Sequence, residues 1–68
     1  MTELLVIKAG KEYYRFNEGN AKLCRMKKAS VFSLAEVQAV RKWCERLQHS
    51  GVPANIVKLT ILEEPFLE

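Results

Sequence analysis

Basic side chains with one aromatic residue among them are the residues of this 68-residue chain best suited to bind a ligand. They fall in strand-like runs and in the turns beside them: Lys11, Tyr13, Arg15, Arg25, Lys27 and Lys58. Lys and Arg neutralise phosphates, and a tyrosine ring stacks on a nucleobase. The pattern is typical of a nucleic-acid-binding surface in which Tyr13 stacks on a nucleobase and the Lys and Arg side chains contact phosphates. It is also what a basic protein shows when the outward positions of its strands face water, so both interpretations stay open.

The other reactive side chains predict no catalytic or metal site. Cys24 and Cys44 lie twenty positions apart, with no second Cys or His at metal-ligand spacing. We expect them to be reduced thiols that pack rather than react. His49 has no Ser, Cys or acid to pair with, and as a cation near a helix end it would stabilise the helix dipole. We therefore expect no enzyme, no cofactor, no metal and no small-molecule substrate.

Composition predicts one small folded domain. Hydrophobic residues make up 49% and charged residues 28%, which is typical of a compact protein. The net charge is +3, and the acids Glu63, Glu64 and Glu68 gather in the tail. We expect a domain over residues 1–62 and an acidic tail over residues 63–68. The longest apolar run, Leu4 to Ile7, is far shorter than the roughly 20 residues that cross a bilayer, so we expect a cytoplasmic protein without a membrane segment.

Four strands are predicted from runs of alternating or β-branched residues. Turn residues at Ala9-Gly10 and Asn17–Asn20 separate the first three runs, which is typical of an antiparallel meander. The runs are Leu4 to Lys8, Glu12 to Phe16, Lys22 to Lys27 and, after the loop at Gly51 to Asn55, Ile56 to Leu62.

One amphipathic helix is predicted from Leu34 to about Ser50. Ser33 and Glu36 have the spacing of a capping box. Gly51 suits the left-handed position that closes a Schellman motif, followed by Pro53. An apolar stripe recurs at three- and four-residue steps. Its members are Leu34, Val37, Val40, Cys44 and Leu47.

The fold class is therefore α+β: a three- to four-stranded, mainly antiparallel sheet with one helix on one face, in βββαβ order. One helix covers one face, so strand parity decides which residues face water. We expect these to face the helix: Leu5, Ile7, Tyr14, Phe16, Cys24, Met26, Val57, Leu59 and Ile61. The other face would carry the six candidate residues with Leu4, Val6, Lys8, Leu23 and Thr60. The helical crossover allows the last strand to pair in parallel with the first.

The order of these segments resembles small phage- or prophage-type proteins in which a "vIK..gkyy" hairpin precedes "kkA..F" and a helix opened by "s..E". The matching positions here are Val6 to Lys8, Lys11 to Tyr14, Lys27 to Ala29, Phe32, and Ser33 to Glu36. The similarity covers nearly the whole chain. It implies a ββ(β)αβ fold with no assigned activity.

Three segments are also similar to the AP2-like arm DNA-binding domains of phage and transposon integrases, in which a three-stranded sheet enters the major groove and one helix backs it. The segments are "GKEYYRF", "KLCRMKK" and "VFSLAEVQAVRKW". The resemblance implies that Tyr13, Arg15, Arg25 and Lys27 face DNA. The chain departs from that pattern in its additional C-terminal strand and in a first strand that is apolar on both faces.

Two functional hypotheses follow. The first is a non-enzymatic interaction module, monomeric or a weak dimer, that contacts an unidentified protein partner through the outward aliphatic residues Leu4, Val6 and Leu23. The alternative is nucleic-acid binding through the basic sheet face.

Overall fold

The first strand, β1, is the centre of the sheet. A computed structural model describes residues 2–66. The elements are β1 (Thr2–Ala9), β2 (Glu12–Asn17), β3 (Asn20–Cys24), β4 (Phe32–Ser33), α1 (Val37–His49) and β5 (Ala54–Ile61). Every strand pairing is antiparallel, so the predicted α+β class with one helix and a mainly antiparallel sheet is confirmed.

Two tight turns build the β1–β2–β3 meander. Ala9 pairs with Glu12 across a two-residue turn in which Gly10 has a φ of 63°. Asn17 pairs with Asn20 across a second such turn, where Glu18 and Gly19 both have positive φ, 50° and 79°. Positive φ at both central residues is the type I′ geometry that matches the twist of paired strands.

The two edges of β1 are occupied differently. β5 pairs with all eight residues of β1, from Thr2 to Ala9. β2 pairs only with Lys8 and Ala9, and β4 pairs only with Leu4 and Leu5. Since β5 fills one edge completely, β2 and β4 must share the other edge.

A short segment before β4 fills the space that opens where β2 diverges from β1. The Ser30 amide donates to the Tyr14 carbonyl at 3.1 Å. The Ser30 hydroxyl accepts from the Phe16 amide at 2.8 Å. Ser30 thereby supplies hydrogen-bond partners for the part of β2 that no longer pairs with β1. The chain then continues into β4, which pairs with β1.

The helical crossover joins β4 to β5. Both strands are antiparallel to β1, so they run parallel to each other with β1 between them. This is a split β-α-β arrangement. The predicted option of a parallel pairing between the first and last strands is wrong, because the strand that enters the crossover is β4, which already runs opposite to β1.

Both helix ends follow the local sequence signals. A 3₁₀ turn, Leu34–Glu36, leads directly into α1. The Ser33 amide and hydroxyl donate to Glu36 Oε1 at 3.5 and 3.3 Å. At the other end Gly51 has a φ of 87°, and its amide donates to the Gln48 carbonyl at 3.0 Å. The Val52 amide donates to the Leu47 carbonyl at 3.0 Å, which completes the predicted Schellman motif.

The core lies between α1 and one face of the sheet. Its buried members are Leu5, Ile7, Tyr14, Val40, Cys44 and Ala54. Around them an aromatic group packs at the β2 side, where the ring centroids of Phe16 and Trp43 are 4.5 Å apart. Phe16 also lies 6.0 Å from the ring of Phe32, so the three rings cover the gap between helix and sheet. Trp43 is partly buried and packs against the core.

The predicted parity of β5 is wrong. Residues that pair across an antiparallel ladder share a face. Ile7 pairs with Ile56 and Ala9 with Ala54, so these two β5 residues face α1. The three predicted inward residues lie on the opposite face: Val57, Leu59 and Ile61. The helix side of β5 needs only a small Ala54 and one Ile56 because α1 reaches only the beginning of this strand.

The third strand also differs from its prediction. β3 ends at Cys24, and Met26–Lys28 form a 3₁₀ turn, so Met26 is exposed rather than inward. Cys24 pairs with Tyr13, which places it on the face opposite α1. Leu23 pairs with Tyr14 and has helix-side parity, yet it stays 54% exposed because it lies beyond the cover of α1. Cys24 and Cys44 therefore lie on opposite sides of the sheet.

The residues that follow β5 have no regular structure as far as the described residues extend. β5 finishes at Ile61, and residues 62–66 are exposed and form no strand or helix. Glu68, which belongs to the predicted acidic tail, lies outside the described residues.

We expect Glu18→Asn to stabilise the protein by about 0.5–1 kcal/mol, because Asn tolerates the left-handed conformation that penalises other side chains. The measurement is the midpoint of urea unfolding. Glu18→Ala is the matched control, since it also removes the carboxylate but leaves a side chain that the positive φ of 50° penalises. An equal gain in both variants, or none in Glu18→Asn, would contradict the type I′ assignment.

Candidate interaction face

The candidate site is the sheet face opposite α1, here called the outer face. Register assigns its residues, because each pairs with another of the same parity. It has two parts. The apolar half comprises Leu4, Val6, Val57, Leu59 and Ile61. The basic half comprises Lys8, Tyr13, Arg15 and Lys22.

The apolar half is formed by two neighbouring strands. Leu4 pairs with Leu59 and Val6 with Val57. Val6 is completely buried although it is not part of the cluster under α1. Its neighbours remain partly exposed, and Ile61 at the end of the row is 44% exposed. Five aliphatic side chains therefore form a second, thin apolar layer on the face that α1 does not cover.

The basic half begins where β1 meets β2. The Lys8 Nζ atom lies 5.3 Å from the centroid of the Tyr13 ring, a cation–π distance. Further along, Arg15 pairs with Lys22. Two cations opposite each other on a sheet repel, and an anion between them relieves that repulsion.

A shallow concavity of about 380 Å³ lies at the far end of the β2–β3 hairpin. It is lined by Arg15, Asn17, Glu18, Asn20 and Lys22. The amides and cations offer donors to an anion, whereas the carboxylate of Glu18 opposes one. The chemistry of this concavity is therefore that of a weak, partly compensated anion site.

The predicted candidate residues do not all come together. Tyr13 and Arg15 lie on the outer face as expected. Lys11 lies in the exposed turn after Gly10, and Arg25 and Lys27 lie in and beside the 3₁₀ turn that follows β3. Two basic residues of the face, Lys8 and Lys22, were not among the predicted binding residues. The signal that places them is cross-strand register, which follows from the two-residue turns.

The expectation that Lys58 lies on the outer face is wrong. Lys58 pairs with Leu5 and so has helix-side parity. Its Nζ atom forms an ion pair with Glu3 Oε2 at 3.0 Å. Both side chains are substantially exposed, so the pair contributes little to stability. Because of its position and this ion pair, Lys58 cannot bind a phosphate on the outer face.

A small polar network links the helix to the start of β5. The Gln48 Nε2 group donates to the Ala54 carbonyl at 2.8 Å, and the Cys44 thiol donates to the same oxygen at 3.5 Å. Burial, with a smaller contribution from Glu45, raises the pKa of the Cys44 thiol. A thiol held protonated in this way is a poor nucleophile, which agrees with a packing role.

Neither a metal site nor a membrane helix is found in residues 2–66. No three His, Cys, Asp or Glu side chains there are grouped so as to hold a metal ion. The helix in this part of the chain is too short and too polar to cross a bilayer. Comparison of the chain with family models, with curated proteins and with solved structures gives no match.

We expect a thiol reagent to label Cys24 in the folded protein and Cys44 only on unfolding. Cys24 is partly exposed and Cys44 is buried, so Cys44 should react slower by about a hundredfold or more. Its raised pKa keeps the thiol protonated at pH values where a free cysteine ionises. Mass spectrometry of the labelled protein measures this, with Cys24→Ser as the control that takes up no label while folded. Equal labelling rates would show that Cys44 is not buried in the folded protein.

Proposed function

We propose that this protein is a non-enzymatic interaction module that binds a protein partner through the apolar half of its outer face. The observation that carries the proposal is the shared parity of Leu4, Val6, Val57, Leu59 and Ile61 on the face opposite α1. Leu4, Val57 and Leu59 are partly exposed and Ile61 is exposed around the buried Val6. A contiguous apolar surface marks a contact site, whereas single exposed apolar residues do not. A sheet covered on one face only is completed by another apolar surface.

The reactive groups of the described residues support a binding role rather than catalysis. His49 is exposed, and the buried thiol of Cys44 donates to a backbone carbonyl. Both cysteines are free thiols, as expected in a reducing compartment such as the cytoplasm. The proposal therefore includes a cytoplasmic protein that acts as a monomer or a weak dimer.

The test compares Leu4→Lys with Leu23→Lys. Leu4 lies in the apolar half, whereas the equally aliphatic and 54% exposed Leu23 has helix-side parity. A charge buried without a partner at an interface is costly, so Leu4→Lys should weaken partner binding by about tenfold or more. Leu23→Lys should leave binding unchanged.

Both variants and the unmodified protein serve as immobilised baits in a nuclease-treated lysate of the source cell, and quantitative mass spectrometry measures the captured proteins. Thermal unfolding first establishes that each bait is folded. A partner captured equally by all three baits, or lost equally from both variants, would count against the apolar half as the contact surface.

Nucleic-acid binding is a second candidate function, and the basic half of the outer face favours it. Lys8, Arg15 and Lys22 share this face with Tyr13, so cations and a stacking ring lie side by side. Arg25 and Lys27 follow β3 at the end of the same hairpin. The outer face carries fewer cations than the sequence suggests, because Lys58 lies on the other face and other predicted cations lie in or beside turns: Lys11, Arg25 and Lys27.

An NMR titration with a short DNA duplex at several salt concentrations tests this second function. Neutralising three phosphates gives a slope of about −2.7 in log K against log salt. Arg15→Gln should reduce the magnitude of that slope by about 1, since one phosphate contact is lost. Lys58→Gln is the matched control and should not alter the slope. Absence of shifts at low salt would remove the nucleic-acid function.

A further inference from the structure

We propose that the outward edge of β5 is a self-association site, at which two copies of this chain pair β5 with β5 in antiparallel orientation and extend one continuous sheet. β5 pairs with β1 along one edge. In residues 2–66 no strand pairs with its other edge. The proposal goes beyond the partner of the apolar half, because it concerns the edge of the sheet rather than its face.

Register identifies which backbone groups of β5 point outward. Successive residues of an antiparallel strand direct their N–H and C=O groups to opposite edges. Ala9 closes the two-residue turn to β2, so Lys8, Val6 and Leu4 direct theirs to β5. Their pairing partners on β5 are Asn55, Val57 and Leu59.

The alternate residues of β5 therefore direct their N–H and C=O groups to the free edge of the sheet: Ala54, Ile56, Lys58 and Thr60. The Ala54 carbonyl already accepts from Gln48 at 2.8 Å, which closes the first part of the edge. The N–H and C=O groups of Ile56, Lys58 and Thr60 have no partner among the described residues. A second strand would supply partners for all of them.

One register fits these open groups and the side chains together. With Leu59 on a two-fold axis, Lys58 of each copy hydrogen-bonds with Thr60 of the other. On the outer face Leu59 then meets Leu59, and Val57 meets Ile61. Apolar cross-strand pairs of this kind stabilise a ladder. A register centred on Lys58 would instead place two ammonium groups opposite each other, which is destabilising.

The features that usually protect an edge strand are weak here. A lysine on an edge strand commonly prevents further pairing. The Lys58 ammonium, however, is paired at 3.0 Å with Glu3 of β1, the neighbouring strand on the inner side of β5. α1 contacts the beginning of β5 through Gln48 and Cys44 at Ala54 and leaves Lys58 and Thr60 exposed. The residue that follows the strand, Leu62, is apolar and 67% exposed, and the acids begin only at Glu63.

Sedimentation velocity with the full chain, over concentrations up to about 1 mM, measures the dimer. Thr60→Pro removes an outward N–H but no hydrogen bond to β1, and proline is tolerated at such edge positions. Two hydrogen bonds are lost per dimer, so dissociation should be favoured about tenfold to a hundredfold. Thr60→Val keeps the amide and should dimerise like the unmodified protein.

Hydrogen exchange of the unmodified protein decides the matter even if Thr60→Pro does not fold. Protection of the Ile56, Lys58 and Thr60 amides should rise with protein concentration, while that of Val57 and Leu59 is already present in the monomer. A monomer with these three amides unprotected at every concentration overturns the proposal, and so does a dimer that survives in folded Thr60→Pro.

Leu4→Lys separates this proposal from the function of the apolar half. Leu4 lies on β1 and takes no part in the edge. The variant should therefore keep the β5 dimer even where it loses its protein partner. Loss of the dimer in folded Leu4→Lys would show that two copies associate through their faces and not through their edges.

Discussion

The pairing of β1 on both edges is the interaction on which the rest of the structure depends. Leu5, Val6 and Ile7 are buried in succession, so this strand is enclosed on both faces although α1 covers only one of them. Leu5 and Ile7 lie in the cluster under α1, and Val6 lies on the outer face. The small core under the helix and the thin layer on the other side are therefore held together by one strand.

This constraint explains the unusual division of the second edge of β1. The hairpin turn at Gly10 forces β2 to start beside Ala9, and the twist of the pair carries β2 away. Ser30 satisfies the exposed part of β2, after which Phe32 reaches Leu5 with its ring on the core side. The crossover helix then starts on one side of β1 and ends on the other, at Ala54. Its diagonal path leaves the far half of β5 without cover.

Local signals predicted the helix and the strands β1, β2, β3 and β5, because each depends on a few neighbouring residues, whereas the two-residue strand β4 was not predicted. Ser33 with Glu36, and Gly51 with Val52, place the helix ends through hydrogen bonds within one turn of chain. Strand parity is different, because it depends on where a distant helix lies. The pattern of Val57, Leu59 and Ile61 looks like a core face, and nothing near these residues shows that α1 reaches only Ala54 and Ile56.

The candidate site was predicted only in part for the same reason. Tyr13 and Arg15 were placed correctly, since the β1–β2 turn sets their parity. Lys58 was misplaced together with the rest of β5, and Arg25 with Lys27 leave the sheet after β3. The outer face therefore has a larger apolar half than the sequence suggests, and its basic half contains fewer cations.

The separation in sequence of β1 and β5 has a consequence for how the chain reaches this structure. Their ladder joins residues as far apart as Thr2 and Ile61 and no nearer than Ala9 and Ala54, so 45 positions separate even its closest pair. Closing such a loop costs entropy before any contact compensates for it. The hairpins and the helix are local and form without that cost. The central strand therefore acquires its longest partner late, and folding should be slow for so short a chain.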